Sequence, residues 1–394
     1  MPHSAFGEEM NMEHVFQVND TPRPHREEIK VIGVGGGGGN ALIHIIRSGV
    51  SGVHFISANT DVGALQLSQA TTKITLGEKL TKGLGAGSDP EVGMNSAKES
   101  IDKIREVVTG ADMVFLTAGM GGGTGTGASP IIAEVAKEAG ALVVAVVTFP
   151  FSFEMNRRRK QAMTGIATLK EKVDALLVVE NDRLLELTDE KTKHADAYRL
   201  ADEVLRQAVQ GVTDLILKPS LINVDFADVR TVMQNAGSAI MGIGSGEGEN
   251  RAEVAAKTAI KSPLMSIPMK GAKGILFNIT GGSDLGIHEI RKAAQIITET
   301  ADEDAIVIWG RTVSEEMSDK IQITVIATGF SSEREKKTVT NFPKATPKTK
   351  PAGVVLEETE VLPAQDEDLF TMSGVPKNPY DIPSILRKGQ KNGK

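Results

Sequence analysis

The chain predicts an α/β protein: an N-terminal doubly wound parallel-sheet domain, a long central helix and a second, smaller α/β domain, flanked by a disordered arm and tail. Three observations predict it. Short apolar runs alternate with amphipathic stretches up to residue 194, the pattern of βαβ units. Two glycine-rich segments stand where a strand hands over to a helix. A helical repeat near 195–217 leads into a second set of strands that ends by 330.

Taken in order, residues 1–28 are polar, lack the apolar core of a signal peptide and read as a disordered arm. The 29–194 domain should hold strands at 29–35, 53–58, 111–117, 141–148 and 174–180, with helices between them, such as Pro90 to Val108 and Glu154 to Lys172. The central helix, 195–218, carries Leu200, Val204, Ala208, Val212 and Leu215 near a helical repeat, and Pro219 stops it. The 219–330 domain should contain strands at Ala239–Ile243, Gly274–Thr280, Ala305–Gly310 and Ile321–Ala327. Ile321, Thr324 and Ile326 in the last suggest a sheet covered on one face. From Ser331 prolines recur, and a basic block (Lys336 to Lys350) precedes an acidic one (Glu357 to Asp368). That composition predicts a flexible linker over 331–379 and a denser terminal segment over 380–394.

Composition narrows the function. Hydrophobic residues make up 40% and aromatics only 4%, so the cores are aliphatic. A net charge of −7 argues against a general nucleic-acid binder, which needs a basic face. The absence of cysteine excludes disulfides, thiolate-bound zinc and thiol nucleophiles. No apolar stretch approaches the ~20 residues of a membrane span, and a cytoplasmic location is expected.

The chemistry lies in the glycines. Gly35 to Gly39 and Asn40 follow the apolar run Ile29–Val34, and Gly121-Gly122-Gly123-Thr124-Gly125-Thr126-Gly127 follows Met113–Leu116. Without Cβ atoms, such runs bring backbone N–H groups close to an anion, and a helix starting there adds its dipole. Tight strand–helix packing explains one such run; two in successive units suggest a ligand with several phosphates. No P-loop is present, since neither run contains the lysine of G-x-x-x-x-G-K-[ST]. Gly33 to Gly38 satisfies the dinucleotide pattern G-x-G-x-x-G, with Asp61 near the ribose position, so an NAD-dependent oxidoreductase remains an alternative. That alternative does not account for the second run or for its threonine hydroxyls. A nucleotide-binding structural polymer without turnover is the other alternative.

Together, Gly35–Asn40, Gly121–Gly127 and Asn223-Val224-Asp225-Phe226-Ala227-Asp228-Val229-Arg230 resemble the FtsZ family, division GTPases of the tubulin superfamily. The resemblance spans 29–329 and returns at 380–388. It implies GTP and GDP as ligands, with Mg2+ held mainly by phosphates and water. By resemblance, Gly36, Gly37, Gly38, Gly39, Asn40, Gly123, Thr124 and Gly125 hold the phosphates, with Asn59-Thr60-Asp61 near them. Ala86 and Gly87 match the loop that senses the γ-phosphate. Glu154 and Arg158 match the ribose contacts, although spacing alone reads as an i,i+4 ion pair of about 0.3–0.5 kcal/mol. Asn181 and Asp202 match the guanine-reading positions, and Tyr198 stands where the family stacks an aromatic ring on the base. Met155-Asn156 departs from the family's usual Gly-Lys.

The family's catalytic segment matches Asn223, Asp225 and Asp228. The residues themselves also read as a helix start, with Asp225 as N-cap. The central helix, roughly 30 Å long at 1.5 Å per residue, carries them away from the glycine runs. The resemblance implies head-to-tail filaments in which these acids meet the next molecule's nucleotide. It further implies a role in the bacterial division ring at midcell. Asp381, Ile382, Pro383, Ile385, Leu386 and Arg387 resemble the peptide that docks on membrane-tethering and regulatory division proteins, with Ile382, Ile385 and Leu386 as an i, i+3, i+4 face. Neither nucleic acid nor membrane insertion is expected.

Overall fold

A computed structural model describes residues 27–189, 191–217, 224–265 and 267–330. Residues 1–26 of the arm, Pro219, Asn223, the linker and the segment 380–394 lie outside the described residues.

The first half runs β1 (Ile29–Val34), α1 (Gly35–Arg47), β2 (His54–Asn59), α2 (Val62–Leu67), β3 (Thr72–Thr75), α3 (Glu78–Thr81), α4 (Pro90–Glu99), α5 (Ile101–Val108), β4 (Met113–Gly119) and α6 (Gly123–Glu138). It continues through β5 (Leu142–Phe149), α7 (Met155–Lys170), β6 (Ala175–Glu180) and the short α8 (Asn181–Leu184) to the long α9 (His194–Leu217). The second half is α10 (Phe226–Met233), β7 (Gly237–Glu247), α11 (Arg251–Ile260), β8 (Gly274–Gly281), α12 (Ile287–Thr298), β9 (Ile306–Val313) and β10 (Lys320–Thr328).

Among the described residues the strands form one ten-stranded sheet in the order β3-β2-β1-β4-β5-β6-β7-β10-β8-β9. All pairs from β3 to β7 are parallel, whereas β10 runs antiparallel to both β7 and β8. The strand order reverses between β1 and β4, the switch point at which ligands bind in such sheets. Both glycine runs start there.

β1, β4 and β5 are buried almost throughout, as strands covered on both faces should be. One core lies between α1, α9 and the sheet, a second on the opposite face under α6 and α7, and a third in the second half. The first core joins Leu205, Val212 and Leu215 of α9 to Met241, Leu276 and Ile326, so α9 packs against both halves.

Three expectations are corrected. The Pro90–Val108 helix is two helices broken at Ser100, whose backbone leaves the helical region and whose hydroxyl accepts from the Gly77 N–H at 3.0 Å. β10 is covered on both faces: Ile321, Ile323 and Val325 join the third core, while Ile326 joins the first and Thr324 is buried. Gly211 of α9 permits that approach, since a Cβ there would come within 3.2 Å of Thr324. The strand expected at 29–35 ends at Val34, and α1 begins at Gly35 itself, so the first glycine run lies within the helix. β3 was not foreseen, because its four residues bury only Ile74.

Candidate functional site

A cavity of about 640 Å³ opens above the switch point, within the range of small-molecule sites. Its floor is the start of α1 and α6. Gly36 and Gly37 line it, and a Cβ on Gly36 would meet nothing within 4 Å, so the backbone is bare toward the cavity. Gly35 has a φ of +70°, which turns the chain from strand to helix and favours glycine. Gly38 faces away and packs: a Cβ there would lie 2.3 Å from the Thr117 carbonyl oxygen. Gly39 also does not line the cavity, whereas Asn40 does.

Gly122, Gly123, Thr124 and Gly125 form the second wall. α6 starts at Gly123, so its first N–H groups have no partner within the helix and point to the same space. Thr126 is not in the wall; its Oγ1 accepts from the Gly121 N–H at 2.8 Å and fixes the turn before the helix. Thr124 and Thr60 share a buried hydrogen bond of 2.6 Å between their hydroxyls. Asp61 lines the rim and caps α2 by accepting from the Ala64 N–H at 3.1 Å. The loop 82–89 is tied to this edge by Gly85 N–H donating to the Thr60 carbonyl and Val62 N–H to that of Gly83. Gly85 and Ser88 line the cavity; Ala86 is buried and Gly87 exposed, and neither lines it.

At the far side the cavity meets Glu154, Arg158, Asn181, Tyr198 and Asp202. The Glu154 carboxylate accepts from Arg158 at 2.5 Å and from the Phe151 N–H at 3.0 Å. Tyr198 packs edge-on against Phe151 and His194, with ring centroids 5.2 and 5.0 Å away. Burial, and then the Glu154 charge, hold its phenol above the usual value. Asn181 is 3% exposed, and its Oδ1 is buried without a hydrogen-bond partner among the described residues. Burial pushes the Asp202 carboxyl up to about 6, against a smaller opposing effect of His44. A buried acceptor lacking a donor, beside a half-desolvated carboxylate, fits a planar ligand that presents several N–H groups. The bare backbone N–H groups at the opposite end fit an anion.

Sequence reasoning missed Thr148 and Pro150 at the end of β5, Met120 in the β4–α6 turn, and Leu205 of α9, all of which line the cavity. No local pattern marks them; they arrive because β5 lies beside β4 and α9 crosses the sheet.

Asp225 and Asp228 lie elsewhere. Asp225 caps α10, its Oδ1 accepting from the Asp228 N–H at 2.8 Å, and both residues are exposed. Tyr198 and Asp202 stand in the first turns of the 24-residue α9, which spans about 36 Å before the chain reaches the two acids.

Comparison with known proteins identifies the family of the chain. Residues 28–189 match the Tubulin/FtsZ family GTPase domain and 237–331 the FtsZ family C-terminal domain. The structure is similar to that of an empty FtsZ dimer from M. jannaschii, with a TM-score of 0.75 and 42% identity over 77% of this chain and 89% of that one. A point mutant of M. jannaschii FtsZ matches at the same TM-score and identity, over 77% of this chain and 92% of that one. CetZ2 from Haloferax volcanii, solved as a GTPγS-bound protofilament, shares the fold at 20% identity and a TM-score of 0.66, over 79% of this chain and 96% of that one. Among the described residues no helix is long and apolar enough to cross a membrane.

Proposed function

The chain belongs to the Tubulin/FtsZ family of GTPases, and from that membership we propose that it hydrolyses GTP only where two copies meet head to tail, as the filament-forming protein of a cell-division ring at midcell. One observation carries the reading: the cavity takes Tyr198 and Asp202 from the first turns of α9, whereas the exposed pair Asp225 and Asp228 follows that helix in the chain and lines no part of the cavity. Arg230 of α10 donates to the Gly140 carbonyl ahead of β5, whereas the cavity takes Thr148 and Pro150 from the other end of that strand, and in this reading the acids do not act on their own chain's ligand. Brought against the cavity of the next copy, they can orient and polarise a water for attack on the γ-phosphate. A contact between two different faces of one chain repeats without closing and builds a filament.

In this reading the N–H groups of Gly36, Gly37 and Gly123–Gly125, with Thr124 Oγ1, bind the phosphates. The ribose lies by Glu154 and Arg158, and the base by Tyr198. Asn181 Oδ1 and Asp202 accept from the N–H groups of guanine, which adenine cannot offer in that pattern. Gly38 and Gly39 support the helix rather than touch ligand. Mg2+ accompanies the triphosphate, held mainly by phosphate and water, with Asp61 close by. Asn223 is proposed as a third member of the catalytic group. The tail residues Asp381 to Arg387 are proposed to dock on membrane-tethering and regulatory division proteins. The oxidoreductase alternative has no support from the comparisons.

The test is phosphate release from GTP and ATP against protein concentration, with light scattering recorded alongside. Turnover per molecule should rise from near zero with the scattering, for GTP only. Constant turnover per molecule at concentrations without polymer would place the catalytic acids within one chain and refute the proposal.

A further inference from the structure

A second cavity, of about 430 Å³, lies behind the first, walled by α4, α6 and α7. Its volume is that of a small-molecule site. Met94, Pro130 and Ile131 give it apolar walls. The threonines among them turn their hydroxyls to their own backbone. Thr164 Oγ1 donates to the Lys160 carbonyl at 3.2 Å and Thr168 Oγ1 to that of Thr164 at 3.1 Å, while Thr126 Oγ1 accepts from Gly121. Gln161 donates to the Ser88 carbonyl at 3.2 Å, and Lys172 pairs with Glu134 at 2.6 Å. The polar groups of the lining are thus engaged, and the remaining charges, Lys160 and Glu91, are exposed to solvent. An occupant needs no hydrogen bonds here, and a buried charge would find no partner.

Each wall also leads to the first cavity. α4 follows the loop of Gly85 and Ser88, α6 carries Thr124 and Gly125 one turn before Gly127, and α7 carries Arg158 two residues before Lys160. The walls touch closely: a Cβ on Gly165 would lie 2.3 Å from the Thr126 methyl, and one on Gly127 1.9 Å from the Pro90 carbonyl oxygen. Packing this tight transmits displacement instead of absorbing it.

We propose that this cavity is a second binding site, for a small neutral apolar molecule, and that its occupancy alters nucleotide affinity in the first cavity. The coupling half rests on the nucleotide reading above; the binding half does not.

The neutral fluorophore prodan serves as probe on the full chain. Its emission should shift to the blue and saturate at one molecule per chain, with saturating GDP present. Thr164→Trp and Thr168→Trp place a large ring at the mouth from exposed positions, so each should fold as the parent does by circular dichroism. Each should weaken prodan at least about tenfold. Prodan should change GDP affinity about fivefold, and GDP should change prodan affinity by the same factor, since linkage is reciprocal. Prodan binding that does not saturate, or that survives both substitutions in folded protein, overturns the site. GDP affinity independent of prodan overturns the coupling. Failure of GDP to bind at all, with prodan binding intact, refutes the nucleotide reading and the coupling while upholding the site.

Discussion

Thr60 and Thr124 join hydroxyls across 2.6 Å in a buried hydrogen bond, although 64 residues separate them in sequence. The bond fastens the end of β2 to the first turn of α6, so these two edges of the cavity are held at one spacing. Only one of the two hydroxyls can donate to the other, which leaves the second hydrogen for a ligand.

Thr124→Val should break this pairing and remove the ligand donor with little change in volume. Hydrogen bonds to charged groups contribute about 1.5–3 kcal/mol, so nucleotide affinity should fall at least about tenfold. Thr124→Ser should retain most of it. Equal calorimetric affinity for GDP in Thr124→Val and the parent would show that the hydroxyl does not touch ligand.

Asp202 predicts a pH dependence. Its carboxyl is raised from 3.8 to about 6, so the folded chain without nucleotide binds a proton that the unfolded chain releases at lower pH. The group therefore lowers stability above about pH 6, and that loss disappears as pH falls below 3.8. Binding works in the other direction. Guanine donors need the ionised carboxylate, so GTP affinity should fall as pH drops through about 6. Asp202→Asn should flatten that profile, weaken GTP and favour xanthosine triphosphate, whose base replaces the amine with a carbonyl. A profile unchanged in Asp202→Asn assigns the titration to another group.

Asp225 has a structural and a proposed chemical role, and two substitutions separate them. Asp225→Asn keeps a capping oxygen for the Asp228 N–H, whereas Asp225→Ala loses it at about 1 kcal/mol. Both should still bind GTP, hydrolyse it poorly and form longer-lived filaments. Mixed with Thr124→Val, either should recover turnover above the sum of the two alone, because mixed contacts pair an intact cavity with intact acids. Strictly additive activity would argue against shared catalysis.

Gly127→Ala should be costly for its size. The added methyl would press on the Pro90 carbonyl oxygen, a backbone atom that cannot rotate away. A loss of about 1–3 kcal/mol is expected, from the denaturant midpoint, with α4 displaced. A midpoint within error of the parent would mean that α4 and α6 are not held as closely as described.

Deletion of 380–394 should leave GTP turnover and filament formation of the purified chain unchanged and abolish ring attachment in cells. Loss of assembly in the purified protein would make the segment structural.

Much of this protein is legible in its residues because the relevant forces are local. Short apolar runs placed β1, β2, β4, β5 and β6 to within a few residues, since a strand buried on both faces must be apolar almost throughout, a demand imposed on each segment separately. The glycine runs announced two helix starts with backbone bare toward a cavity, because only a missing Cβ leaves the backbone so open. The apolar repeat announced α9. Tertiary structure alone decided the rest, because it depends on which segments become neighbours. It put Gly36 and Gly37 on the cavity and Gly38 against Thr117. It paired Thr60 with Thr124 and brought Thr148 and Leu205 to a wall no motif describes. It left Asn181 Oδ1 without a donor and desolvated Asp202, which lifted its carboxyl to about 6. It also buried β10 on both faces, since α9 packs across the sheet from the side the strand's own pattern left open. Sequence sets what each segment can do; only packing decides which side chains meet, which lose water and which are left to face a ligand.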